Sequence, residues 1–139
     1  MEDKQRLIRL EENGTLAFGD FRLQTKQKVL DFENGGDLYQ VKSFSQITRL
    51  EKNGRLLLEA VPGATIRQFF MDEESVSFEL EAAEDVRVTM ELCPDTVYTV
   101  AANGTELGKV TANVAGKISF SLGMAPGQVA SVGIKRADG

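Results

Sequence analysis

Apolar and polar residues alternate with period two along much of the chain. Phe21, Leu23, Thr25, Gln27 and Val29 alternate with Arg22, Gln24, Lys26 and Lys28. Val76, Phe78, Leu80 and Ala82 alternate with Ser77, Glu79 and Glu81, and Val86, Val88, Met90 and Leu92 with Arg87, Thr89 and Glu91. Ile118, Phe120 and Leu122 repeat the logic against Lys117, Ser119 and Ser121. Successive strand side chains point to opposite faces, so this spacing sorts the residues into a buried and a solvated set; helical spacing does not. The pattern predicts strands throughout, among them one over 21–29 with Arg22, Lys26 and Lys28 on its outer face.

Turn chemistry separates these runs. Asn13-Gly14, Asn53-Gly54 and Asn103-Gly104 each lie between apolar-patterned stretches. A type I′ hairpin needs positive φ at both central residues, and Asn-Gly meets that at least steric cost. Val61-Pro62-Gly63, Cys93-Pro94-Asp95 and Ala125-Pro126-Gly127 are further turns, and Asn34-Gly35-Gly36 is another. About a dozen short strands result, at the spacing of an all-β antiparallel sandwich or jelly-roll. Ser43-Phe44-Ser45-Gln46 has the form of a capping box, so a short helix over 44–52 competes with a hairpin there. The hairpin is favoured, because Arg49–Leu56 nearly repeats the hairpin-like Arg9–Leu16. A compositional shift near 72–74 predicts a soft sub-sheet boundary inside a single domain of 1–139.

Composition narrows the chemistry. With 139 residues and 42 % hydrophobic content the chain can bury roughly two-thirds of its unfolded surface without a staple. One cysteine excludes an intramolecular disulfide and a thiolate metal cage within one chain. Histidine is absent, which removes the usual general base, the usual zinc ligand and every Ser-His or Cys-His nucleophile. A net charge of −5 argues against nucleic acid as a partner, since that binding needs a concentrated basic surface. The charged start, Met1–Arg6, has no apolar signal-like run, and no segment approaches the roughly 20 apolar residues of a membrane helix. A cytoplasmic protein without membrane contact, metal or cofactor is therefore expected.

The candidate sites are few. Cys93, without a histidine to activate it, reads as a small packed hydrophobe. Asp31, Glu33 and Asp37 flank one turn and Asp72, Glu73 and Glu74 form another acidic group. Such clusters can hold calcium or supply a glycosidase pair, but the ordered spacing of a calcium loop is missing. Asn13 and Asn103 head glycosylation sequons that the hairpin turns already explain. Tyr39, Phe44, Phe69 and Phe70 are the aromatic residues from which a sugar-binding patch could be built, with Phe69 and Phe70 pointing to opposite faces of their strand; the favoured alternative is that both faces of that strand are covered.

The segment Val97–Gly104, continuing through Gly108-Lys109-Val110 to Gly116–Phe120, resembles the closing hairpins of accessory β-sandwich domains on bacterial polysaccharide-degrading enzymes. Over its whole length the chain resembles small proteins of anaerobic Firmicutes, some labelled endosialidase; Phe18-Gly19-Asp20, Gly36–Lys42 and Glu59–Gly63 are the closest passages. The resemblance implies a bacterial all-β protein. The arginine triad and tyrosine nucleophile of sialidases have no counterpart on these residues, so no residue role follows from it. Two functions are expected in order. The first is a non-enzymatic structural protein that self-associates as a homo-oligomer, Arg22, Lys26 and Lys28 meeting Glu79 and Glu81 of a neighbouring copy. The second is a carbohydrate-binding accessory module acting on a glycan through Tyr39, Phe69 and Phe70; a glycoside hydrolase comes third.

Overall fold

A computed structural model describes residues 7–137. Among them thirteen strands form two antiparallel sheets. The strands of the first half are β1 (Ile8–Leu10), β2 (Leu16–Phe18), β3 (Gln27–Asn34), β4 (Asp37–Phe44), β5 (Ile47–Lys52), β6 (Arg55–Val61) and β7 (Ala64–Met71). Those of the second half are β8 (Ser75–Ala82), β9 (Val86–Glu91), β10 (Val97–Ala102), β11 (Thr105–Thr111), β12 (Lys117–Leu122) and β13 (Val129–Arg136). One sheet has the order β1-β2-β7-β8-β13-β10-β11 and the other β12-β9-β6-β5-β4-β3. β1 meets β3 on one flank and β11 meets β12 on the other, so the sheets lie face to face as a sandwich. The alternating residues fill the space between them: Val76, Phe78 and Leu80 from β8, Val88 and Met90 from β9, Leu50 and Leu58 from β5 and β6, Val132 and Ile134 from β13.

The turn residues do what their chemistry predicts. Gly35-Gly36, Asn53-Gly54 and Asn103-Gly104 close two-residue hairpins with φ of 61° and 88°, 52° and 81°, and 54° and 82°. Asn53 and Asn103 also dock sideways. Each donates its N–H to a neighbouring strand (Leu38 O, 2.7 Å; Ser131 O, 2.8 Å) and accepts on Oδ1 the N–H of the same residue at 2.9 Å. Asn13-Gly14 closes a hairpin too, but in a longer loop over 11–15 where Asn13 Oδ1 accepts from Thr15 N and Oγ1. All three prolines stand where the chain leaves the six-stranded sheet for the seven-stranded one: Pro62 before β7, Pro94 before β10 and Pro126 before β13. A residue with no N–H to give the ladder ends a strand cleanly there.

The favoured hairpins form over 44–52, and two readings fall: the alternative helix there and the strand over 21–29. No helix forms over 44–52; β4 ends at Phe44 and β5 begins at Ile47, joined by Ser45-Gln46. The hydroxyl that looked like a cap belongs to a buried polar knot. Ser43 Oγ accepts from Asp20 N (2.8 Å) and meets Thr48 Oγ1 at 2.7 Å. Thr48 Oγ1 donates to Ala64 O (2.7 Å) and accepts from Ala64 N (3.0 Å), tying the two sheets together. Because the Thr48 proton goes to Ala64 O, Ser43 is the donor to Thr48. Gly19 passes so close that a Cβ would stand 2.5 Å from Ala64 O.

The second correction concerns the strand over 21–29. β3 starts only at Gln27. Gly19, at φ 88°, and an Asp20 turn (Arg22 N to Oδ1, 3.0 Å) carry residues 19–26 from one sheet to the other as a loop. Phe21 and Leu23 are half-buried without joining a strand, which imitates strand alternation. The expected boundary at 72–74 is the tight turn between β7 and β8, neighbours in one sheet. It separates two lateral halves of the sandwich, and both sheets run through it by the β7–β8 and β6–β9 pairs. Among the described residues no helix is long and apolar enough to cross a membrane.

Candidate functional site

At the end of the sandwich opposite the polar knot, the tips of the β1–β2, β3–β4, β5–β6 and β7–β8 connections surround an open cleft of about 630 Å³. That volume suits a ligand of a few sugar rings or less. Its apolar floor includes Leu16, Leu57, Phe69 and Val76; its polar rim includes Asn34, Lys52, Arg55 and the 72–75 turn.

A bulge in β7 creates one wall. Gln68 takes φ 56°, and the register with β8 shifts between Arg67 and Phe70. The extra residue lets Ile66 and Phe69 both face inward although three positions separate them, and leaves Phe70 outside. The first hairpin loop clamps this bulge: Gln68 N donates to Glu11 Oε1 (3.0 Å) and Asn13 Nδ2 to Gln68 Oε1 (2.7 Å). Phe69 is fixed edge-on against Phe18, with ring centroids 5.6 Å apart, and beside Phe78 at 6.0 Å. Phe70 stands 48 % exposed at the mouth.

Tyr39, from the other sheet, completes the aromatic set. Its ring is buried, with the residue 8 % exposed, and its hydroxyl makes no hydrogen bond within the chain and reaches solvent in the cleft. Burial pushes its pKa up, with Lys52 opposing and Asp37 reinforcing the shift, so at neutral pH the group is a neutral donor and acceptor. Tyr98 lies deeper and accepts the Cys93 N–H at 3.0 Å.

Three of the four aromatic residues singled out from the sequence, Tyr39, Phe69 and Phe70, thus line one cleft. Tyr39 and Phe69 form floor and wall, however, and only Phe70 offers an open ring. Phe44 lies at the far end of β4, outside the cleft. The charged residues marked for self-association do not form one patch. Arg22 pairs within the chain with Glu81 (2.8 Å), which also reaches Arg67 (3.3 Å), so this contact is not left for a neighbouring copy. Glu79 faces Arg67 in register, Lys26 is in the crossing loop, and Lys28 faces Lys42 across β3 and β4.

Cys93 departs from the packed role expected of it. It is half-buried beside the cleft, and its Sγ accepts from Arg136 Nη2 at 2.9 Å. Two of the six marked acids, Asp37 and Asp72, are committed to structure. Asp72 Oδ1 accepts the N–H of Glu74 (2.9 Å) and Ser75 (2.8 Å), which holds its carboxyl below the ordinary range. Asp37 is lowered first by the Asn53 amide (2.9 Å) and then by Lys52 (3.5 Å). Asp31 and Glu33 are exposed on β3. Among the described residues no three acidic or cysteine side chains converge as metal ligands.

Sequence reading did not single out Lys52, Arg55, Glu91 or Tyr98. Their signal is positional, since Lys52 and Arg55 flank a turn that shares an end with the Asn34 turn. Compared with known families, curated proteins and solved structures, the chain matches no family model, no curated protein and no solved structure.

Proposed function

We propose that the protein is a non-enzymatic binding module whose end cleft takes a carbohydrate. One observation carries this reading: Tyr39, Phe69 and Phe70, drawn from both sheets, line a single cleft that holds an unpartnered tyrosine hydroxyl. Phe70 supplies a flat apolar face for the C–H side of a sugar ring. The Tyr39 hydroxyl, the Asn34 amide and the rim carboxylates supply the convergent polar groups that fix its hydroxyls. The non-catalytic part is supported by the absence of histidine and by two cleft acids already engaged: Asp72 serves its turn, and Glu91 is held by Arg55 at 2.9 Å. A single cysteine suits a reducing compartment, and a cytoplasmic location is part of the proposal.

A glycan array with the full chain tests it. Wild type should give reproducible hits; Phe70→Ala should abolish them, and Tyr39→Phe should weaken them about fivefold, the worth of one hydrogen bond. Hits unaffected by Phe70→Ala, or no hits at all, overturn the reading.

Self-association is the second reading. β11 is a free edge with Leu107 exposed, and Val114, 83 % exposed, follows it. Edges of this kind seek partners. Two of the other three edges are blunted: β1 has three residues, and β3 carries a bulge at Asp31 with φ 57°. Light scattering well above the monomer mass of 15.2 kDa, lowered by Leu107→Lys, would support it; a strict monomer would remove it.

A further inference from the structure

We propose that the free edge of β12 pairs with β12 of a second copy about a two-fold axis through Phe120, joining the two six-stranded sheets into one. The inference rests on the self-association reading rather than on the cleft, and gives that reading its contact. It starts from which backbone groups of β12 are already spent. β12 ends its sheet, with β9 beside it. Leu92 N donates to Gly116 O at 2.6 Å, one step before the register that runs from Lys117↔Glu91 to Leu122↔Val86. Antiparallel pairs alternate between bonded and non-bonded. Ile118, Phe120 and Leu122 therefore bond to β9, while Lys117, Ser119 and Ser121 turn N–H and C=O outward. Lys117 is capped: its N–H donates to Asn113 Oδ1 (3.0 Å) and its C=O accepts the Asn113 N–H (3.1 Å). The outward N–H and C=O of Ser119 and Ser121 have no partner among the described residues.

Those groups and the side chains beside them are self-complementary. With the axis through Phe120, Ser119 faces Ser121 of the second copy, and the two such pairs use every outward group of both serines. Phe120 meets its own counterpart in a non-bonded pair, where side chains approach most closely, and Ile118 faces Leu122. Phe120 is only partly buried within one chain, between buried Ile118 and Leu122, so the pairing covers its ring with another. No like charges meet, because the facing outer residues are serines. β12 also lacks the devices that protect edges: it has no proline, no bulge against β9 and no charge after Lys117. β11, by contrast, is interrupted at Leu107, which its register with β10 skips, and carries Lys109. A two-fold contact is isologous, so association closes at the dimer.

Sedimentation equilibrium of the full chain across the micromolar range tests the inference. The mass should rise with concentration from 15.2 kDa to twice that value and stop there. Ser121→Pro removes an outward N–H without touching the β9 ladder, so it should weaken the dimer about tenfold at an unchanged thermal midpoint. Ser119→Lys/Ser121→Lys should also weaken it, and mixing with Ser119→Glu/Ser121→Glu should restore pairing. Leu107→Lys should leave the dimer intact. In a Cys93→Ser background, Phe120→Cys should cross-link two copies, since facing non-bonded residues lie about 4.5 Å apart, within disulfide reach; Ser121→Cys should not. A dimer that survives both β12 variants, a reversed cross-linking pattern, or a mass that climbs past the dimer overturns the β12 pairing and leaves self-association standing. A strict monomer overturns both.

Discussion

Thr48 stabilises the end of the sandwich far from the cleft through one hydroxyl. That oxygen serves both the N–H and the C=O of Ala64 and receives the Ser43 proton, all in residues with no solvent exposure on either hydroxyl-bearing side. Thr48→Val keeps shape and β-branching but strands these partners in a dry site. The expected loss is on the order of 2–3 kcal/mol, read as a lower urea midpoint at unchanged slope. A loss under about 0.5 kcal/mol would contradict the knot. Nothing in the sequence around Ser43 and Thr48 announces this role, because their partners Asp20 and Ala64 come from distant segments. The Asn-Gly turns were legible because positive φ is a local demand; their sideways docking to Leu38 and Ser131 was not, since it depends on which strand lies alongside.

At the scale of elements, hairpins were readable and bulges were not. Alternation places Val76–Ala82 and Val86–Met90 correctly, but the bulges at Asp31 and Gln68 break the period to bring Phe32 and Phe69 inward. Neither bulge carries the glycine that marks a positive-φ position in the sequence. The crossing loop 19–26 misled for the converse reason: its alternation reflects half-burial at a sheet end, without a ladder. The turn between β7 and β8 carries a pH dependence. Asp72 has a folded pKa below its unfolded value, because the Glu74 and Ser75 amides donate to its charged form. Its contribution is thus complete above the unfolded value near about 4 and is lost as pH falls through the folded one. Asp37 shifts in the same direction, led by Asn53. Thermal unfolding should therefore separate wild type from Asp72→Asn near neutral pH, and the gap should narrow as the pH falls through the folded pKa. A gap that persists in acid would assign the difference to something other than charge.

At the scale of the molecule, period two, turn residues and proline placement together made the all-β sandwich legible. The three aromatic residues of the cleft were nameable, but their meeting was not. Turns at Asn34-Gly35 and Asn53-Gly54 share an end by the parity of an up-and-down meander, whereas Tyr98 and the 72–75 turn arrive there only through the strand order of the other sheet. The central claim is that this end cleft is where the protein binds its ligand. Amide chemical-shift mapping during titration with a short neutral oligosaccharide such as cellotetraose tests it most directly. The largest shifts should fall on Tyr39, Arg55, Phe70, Glu73 and Glu74, with the β11 edge and the outer sheet faces unmoved. Shifts concentrated on β11 or on an outer face, or none anywhere, would contradict it.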